Sequence, residues 1–411
     1  MKSSIIIKKS AEMLKKSFEK TFYTFKDLPE LKVKAPFGIY VNIPLCKHFC
    51  TFCPFYKVLF TNELKDSYLS ALLKDIRESI LPKDAGWLYF GGGTPNVLSI
   101  NELQKIVQEI KNKVIVKDMG IELHPDLLTT DYLIGLKNLG FNKISIGIES
   151  FSKVVNGNYQ RKDIKIEKLE KLISYAISEK IFVNTDIMVG LKNQDYKSFM
   201  NDIEALIKLN PSQITIYPYM VLRNMKADSD IPEAEQFQLI EKAWAKLKLN
   251  AYTRKNIWCF SKDEDYYDTS RQELTGDYVG FGAASFSTYN QAKIVKPEIE
   301  TYIKLFEGTE RKALIAPKDP ASDIWRDFAS MIYDLKLTKT QHFPTFIKIL
   351  LAILKISGYI KKGQFTAKGI IYSHHITKKV VESLPYPLQN THKIVNYDEY
   401  KNFNNQILKN E

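Results

Sequence analysis

Three of the four cysteines in this chain, Cys46, Cys50 and Cys53, fall within eight residues, in the run IPLCKHFCTFCPFYK (43–57). The spacing C-x-x-x-C-x-x-C sets three thiolates close enough to ligate three irons of a cubane [4Fe-4S] cluster. The fourth iron is then left without a protein ligand, so the amine and carboxylate of a small molecule can chelate it. The alternative is a zinc site completed by His48 or by a distant residue. Zinc sites commonly pair C-x-x-C units, and this chain lacks that pairing. A disulfide framework would use an even, dispersed set of cysteines instead. Phe49, Phe52 and Phe55 interleave the thiols and are expected to keep water from the cluster, although plain core residues would do the same. The fourth cysteine, Cys259, follows Trp258 and is expected to be a buried structural residue.

A second run, FGGGTP (90–95), directly follows a strand-like GWLYF. Successive glycines let the backbone approach a ligand closely, with its free N–H and C=O groups as partners. The Lys-Ser/Thr pair of a P-loop does not follow, so a nucleoside triphosphate is not the expected ligand.

These motifs need a frame. From about residue 36 to 220, short β-branched runs alternate with amphipathic stretches. The predicted strands are 37–43, 86–90, 118–123, 143–148, 182–188 and 213–219, with helices near 61–80, 101–113, 127–139, 163–179 and 195–209. This strand–turn–helix alternation predicts an α/β fold: a parallel sheet covered by helices, arranged as a partial TIM-type barrel whose active site lies in the loops after the strands. Beyond residue 220 the spacing predicts a helix over 232–249, a strand over 252–260 and a Gly-rich segment, VGFGAASFS (279–287). Residues 320–378 read as helices followed by a β-hairpin wing in YIKKGQFTAKGIIY, a small, mainly helical, winged-helix-like domain. The expected division is a helical extension at 1–35, the barrel at 36–290, the C-terminal domain at 291–383 and a peripheral tail at 384–411.

Cys46, Cys50 and Cys53 with an aromatic at Phe52, Tyr40 before the first thiol, and Gly91-Gly92-Gly93-Thr94-Pro95 resemble the radical SAM superfamily. More narrowly they resemble its HemN-like branch: oxygen-independent coproporphyrinogen dehydrogenase, the heme chaperone HemW and the class C radical SAM methyltransferases. The resemblance continues through GIELHPD (120–126), GFNKISIGIESF (140–151), Arg161, VNTDIMVGL (183–191), IYPY (216–219) and GDYVGFGAASF (276–286). It implies a [4Fe-4S] cluster and S-adenosylmethionine (SAM), two SAM molecules in the methyltransferases, and a reductant such as flavodoxin or ferredoxin. It places Tyr40 and Phe52 beside bound SAM and sets Gly92, Gly93 and Thr94 at its amino group. Glu122, Glu149, Arg161 and Asp186 join them as contacts. As ordinary structure, Glu122 and Arg161 would be an ion pair and Asp186 a helix cap.

Departures from the branch pattern tilt the expectation within it. The dehydrogenases and heme chaperones usually carry Gln where this chain has Glu149. A His-Asn…Tyr-Trp run of the heme chaperones has no His here, and their late Ala-His-Ser gives way to Ser285-Phe286-Ser287. The expected activity is therefore a radical SAM methyltransferase acting on an sp2 carbon of an aromatic substrate such as menaquinone, with Glu149 the candidate base. The alternatives are a tetrapyrrole-acting enzyme, dehydrogenase or heme-degrading methyltransferase, and a HemW-like chaperone.

The net charge of +12 is spread along the chain rather than gathered into a basic stripe with interleaved aromatics, so nucleic acid is not an expected partner. No run of about 18 apolar residues exists, and the start resembles no signal peptide, which together predict a cytoplasmic protein. An amphipathic lysine-bearing segment, 4–25, is a candidate for peripheral membrane contact. There is no internal repeat or low-complexity tract.

Overall fold

Seven parallel strands form the centre of the structure: β1 Phe37–Ile43, β2 Asp84–Gly92, β3 Ile115–Leu123, β4 Lys143–Glu149, β5 Phe182–Val189, β6 Gln213–Pro218 and β7 Tyr278–Phe281. They lie in the order β7-β1-β2-β3-β4-β5-β6. The computed structural model describes residues 12, 21–33, 35, 37–162, 164–221, 228–264, 276–318, 320–337, 342–383, 386–389 and 391–408. Alternate residues of a strand share a face, and the face that packs on the covering helices must be apolar. Accordingly Ile39, Val41, Ile43, Ile144, Ile146 and Ile148 are all fully buried.

The six strands expected from the sequence are present, each end within three residues. The seventh comes from the late Gly-rich segment, which pairs parallel to β1. The sheet then continues antiparallel through Phe286–Tyr289, Ala292–Val295, Lys312–Pro317 and Thr24–Asp27; beyond β6 it continues through Cys259–Ser261 and Thr253–Arg254. Among the described residues it is open at both edges, in keeping with a partial barrel. The single strand expected over 252–260 is broken because the Asn256 side chain accepts from the backbone N–H of Trp258 and of Cys259, each at 2.9 Å, and so turns the chain.

Helices α1 Asn62–Glu78, α2 Ile100–Lys111, α3 Thr130–Leu139, α4 Lys153–Gly157, α5 Ile166–Ser178, α6 Tyr196–Leu209 and α7 Glu233–Lys248 make the crossovers and their continuation. Their starts are locally encoded. Ser99 and Glu102 form a reciprocal capping box on α2, and Asp195 with Ser198 does the same on α6. Leu103, Ile106, Val107 and Ile110, at helical spacing, bury the inner face of α2.

Helix α8 Ile299–Glu307 packs on α1. Helices α9 Pro320–Tyr333, α10 Thr345–Ile356 and α11 Ala367–Glu382 enclose a second core, centred on Phe328, Ile332, Ile347, Tyr359 and Tyr372. The wing is shorter than expected. Its strands are only Ile360–Lys361 and Gln364–Phe365, because the Thr366 hydroxyl accepts from Gly369 N at 3.2 Å and starts α11.

Three boundaries shift. The expected break after residue 290 falls in the turn between Phe286–Tyr289 and Ala292–Val295, inside the sheet. The tail is docked: Ile394 and Tyr400, the latter on α12 Tyr397–Leu408, bury against Tyr23, Phe25 and Leu314. The amphipathic segment 4–25 gives way to a strand at Thr24, and its residues 4–20 apart from Glu12 lie outside the described residues. No described helix is long and apolar enough to cross a membrane.

Candidate active site

Past the end of β1, Leu45–Cys46 pairs with Val58–Leu59 and closes the cysteine loop at its base. Val58 N donates to Pro44 O at 2.8 Å and Phe60 N to Cys46 O at 2.9 Å. Inside the loop, Cys53 N donates to Cys50 O at 3.1 Å and Lys57 Nζ to Cys53 O at 2.7 Å. All three thiols are free cysteines, and burial pushes each above its ordinary value. Two of them already face donors. Thr94 Oγ1 lies 3.5 Å from Cys46 Sγ and Arg161 Nη1 lies 3.7 Å from Cys50 Sγ, an arrangement suited to sulfur that carries negative charge.

The residues fit a cluster held by three thiolates. No three His, Cys, Asp or Glu side chains among the described residues converge on a single-ion site. A cubane does not ask for that, since each thiolate holds a different iron. His48, the residue that would complete a zinc site, is exposed. Of the interleaved phenylalanines only Phe52 is buried: it meets Tyr159 edge-on at 5.1 Å and packs with Val155, Leu191 and Tyr219 against Cys50 and Cys53. Phe49 and Phe55 are exposed and do not wall off the thiols.

The Gly-rich run at the end of β2 runs alongside. A Cβ on Gly93 would sit 2.9 Å from Cys46 Sγ, and one on Gly91 2.5 Å from Tyr40 Oη. Gly92 has φ +111°, and a Cβ there would come 2.1 Å from Asn42 Oδ1. Only glycine is compatible with that backbone and that approach. Asn96 ties the run to β3, exchanging bonds of 2.9 Å with His124 N and His124 O. Burial, and then the Arg161 charge, lower His124 to about 3, so its ring is neutral.

Three carboxylates line the C-terminal halves of β3, β4 and β5. Glu122 accepts from Tyr89 Oη at 3.0 Å, and Tyr89 stands in register beside Tyr40. Glu149 has φ +65°, rare outside glycine. The turn is held by Asp202 on α6, whose carboxylate accepts from Ser150 Oγ at 2.7 Å and Phe151 N at 2.8 Å. Asp186 accepts from Ser145 Oγ and, at 2.9 Å, from Asn184 Nδ2; Thr215 Oγ1 supports Asn184 Oδ1 at 2.8 Å. Burial is the main cause that pushes these acids up: Glu122 to about 8, Glu149 to about 7 and Asp186 to about 6. The neighbouring Asp186 charge adds to the first two.

Arg161 donates to Gly147 O, lies 3.7 Å from Glu149 Oε1, and keeps a buried Nε without a partner. Neither ordinary-structure alternative holds as framed, since the nearest acid to Arg161 is Glu149 rather than Glu122, and Asp186 caps no helix. Three buried acids against one buried guanidinium favour a ligand that brings positive charge. The partners Tyr89, Ser145, Asn184, Thr215 and Asp202 were not anticipated. Asn184 and Asp186, two apart in an otherwise aliphatic strand, share a face and were the available signal.

The other wall is the Gly282–Ser285 turn after β7. Asn42 Nδ2 donates to Ala283 O at 2.6 Å, and Gly282 N to Asp75 Oδ2 at 3.5 Å. Asp75 also accepts from Tyr302 Oη at 2.7 Å and pairs with the buried Lys296. Asn42 thus touches both Gly-rich segments. Cys259 is buried against Thr215 at 3.7 Å, as expected of a structural residue.

Residues 40–206 match the radical SAM superfamily. The chain is 27% identical over 282 residues to the heme chaperone HemW of Buchnera aphidicola (Schizaphis graminum), covering 62% of this chain and 71% of the relative. It is 28% identical over 309 residues to the oxygen-independent coproporphyrinogen III oxidase of Synechocystis, covering 67% and 66% respectively. Among solved structures, coproporphyrinogen III oxidase (HemN) from Escherichia coli superposes with a TM-score of 0.72 at 23% identity, over 84% of this chain and 90% of that one, which shows a shared fold.

Proposed function

We propose that this chain, which matches the radical SAM superfamily over residues 40–206 and is similar to a heme chaperone HemW and a coproporphyrinogen III oxidase, uses a [4Fe-4S] cluster to cleave SAM reductively and acts on a tetrapyrrole. The observation that carries the SAM reading is the meeting, at the C-terminal ends of β1 to β5, of three free thiols, a glycine cradle and three buried carboxylates. With SAM bound, the cluster supplies the one-electron cleavage of the sulfonium to methionine and a 5′-deoxyadenosyl radical.

The protein's own part is to bind, orient and exclude water. Cys46, Cys50 and Cys53 hold the cluster. Thr94 and Arg161 would donate to the Cys46 and Cys50 thiolates, and Arg161 would also pair a ligand carboxylate. The Gly91–Gly93 backbone leaves room for the ligand's amino group beside Cys46. Asp186, its two oxygens steadied by Ser145 and Asn184, accepts ribose hydroxyls; Glu122 and Glu149 complement the ligand's positive charge. Phe52, Tyr159, Leu191 and Tyr219 form the apolar wall behind Cys50 and Cys53.

The tetrapyrrole reading is supported by the relatives' names, a coproporphyrinogen oxidase and a heme chaperone. Those relatives do not favour the quinone methylation expected from the sequence. Methyl transfer stays as a second reading on one observation: Glu149, buried and 3.7 Å from Arg161, is a carboxylate that can take a proton.

One experiment separates them. Anaerobically reconstituted protein is given SAM, a reductant and, in separate reactions, coproporphyrinogen III, a naphthoquinone acceptor or hemin, and its products are read. Deoxyadenosine with a decarboxylated porphyrinogen is the expected result. Deoxyadenosine together with S-adenosylhomocysteine on an aromatic acceptor would move the function to methyl transfer. Stoichiometric, stable hemin uptake without any product would make it a chaperone.

A further inference from the structure

Helix α10 is apolar on two sides. Ile347, Leu351 and Leu354 are buried in the C-terminal core. Phe346, Ile349, Ile353 and Ile356 are exposed, Ile356 to 87%. At 3.6 residues per turn these four fall within an arc of about 80°, turned away from the buried face. Exposed single aliphatics are ordinary, and others are scattered over this protein. Four aligned on one short helix make a contiguous apolar edge, which marks a contact surface.

The segment that carries this edge is basic, and the acid beside it is Asp327 of α9, 3.4 Å from His342 just before α10. Between Leu335 and Val381 there are nine lysines, no Asp and no Glu. Lys378 and Lys379 turn inward to Glu233 and Glu382. Lys368 lies over the Tyr359 ring at 4.2 Å and donates to Ser357 O at 3.0 Å, beside the end of α10. Lys348 and Lys355 on the helix, and Lys361 and Lys362 on the hairpin, are exposed. Lys362 and Gly363, both at positive φ, form the hairpin tip. None of these four lysines has an acidic partner among the described residues.

We propose that α10 and the hairpin after it form a docking face for an anionic lipid bilayer. Aliphatic side chains flanked by lysine are what an interfacial helix presents to the headgroup and acyl boundary. Protein interfaces favour arginine, tyrosine and methionine and are depleted in lysine. This face carries no arginine, tyrosine or methionine among its exposed residues. Basic residues at such a surface add attraction to anionic lipid that salt weakens. The face belongs to the C-terminal unit and is independent of the cysteine loop, so the radical SAM reading and this one can fail separately.

The test is flotation of the full-length, cluster-loaded protein with two kinds of vesicle, pure phosphatidylcholine and the same lipid with roughly a third phosphatidylglycerol. Wild type is expected on the anionic vesicles, with binding lost at high salt. I349S/I353S/I356S is expected to weaken that binding about tenfold or more, with cluster absorbance, melting temperature and SAM cleavage unchanged. K361Q/K362Q, which alters only the hairpin, serves if the triple variant does not fold; it is expected to weaken binding about fivefold or more. Equal binding by variants and wild type would overturn the proposal, as would equal binding to neutral vesicles. So would a wild-type dimer that the triple variant converts to monomer without any vesicle binding, since a second copy would then cover the face.

Discussion

Cys46, Cys50 and Cys53 occupy one short loop closed by its own backbone bonds, whereas Glu122, Glu149 and Asp186 come from three neighbouring strands and depend on partners from three more elements. The two groups face one space with opposite demands. The thiols need donors to become anionic, and Thr94 and Arg161 supply them. The acids are so buried that they are held toward their neutral forms until positive charge arrives. A loop of this kind tolerates change elsewhere; the carboxylate group does not, because Glu122 and Asp186 are each held by a side chain from a neighbouring strand, Tyr89 and Ser145.

The largest expected effect tests the first half of that contrast. Replacing any one of Cys46, Cys50 or Cys53 by alanine should abolish both iron-sulfide absorbance and SAM cleavage, while melting of the apo protein changes little. Substantial cleavage in any of the three would sink the cluster assignment.

The second half predicts a split instead. Asp186→Asn should keep full cluster absorbance and raise the KM for SAM by about 10- to 100-fold, the range for losing a hydrogen bond to a charged group. Loss of absorbance in this variant would mean that the two groups are not separable.

The smallest effect is a pH slope. A carboxyl group whose folded value is raised lends stability below its ordinary value, and that stability is lost as pH rises through the folded one. For Glu122 the window runs from 4.5 to about 8. SAM-free protein should therefore melt at a falling temperature across it, and Glu122→Gln should flatten the slope. A slope unchanged in that variant would assign the effect to other groups.

Much of this was legible beforehand, for identifiable reasons. The six expected strands sit where aliphatic runs alternate with amphipathic helices, and burial of one strand face against those helices demands that pattern. The seventh strand was missed because YVGF is only four residues long, carries a glycine and runs straight into the Gly282 turn. The wing was overextended past Thr366, since β-branched IIY outweighed a cap whose acceptor role shows only in three dimensions. Residue 290 lies in the turn of an antiparallel hairpin, which has no compositional mark separating it from a linker.

By itself the sequence determined the thiol spacing, the glycine cradle and the periodicity of sheet and helices, because these are properties of neighbours along the chain. Only the tertiary structure decided that Asn42 joins two glycine-rich turns and that Ser145 and Asn184 orient Asp186. It also set Asp202 beneath the strained turn at Glu149 and bared the second apolar edge of α10. Each of these depends on which strands lie side by side and on what covers a face, and contact across strands is not encoded in local spacing.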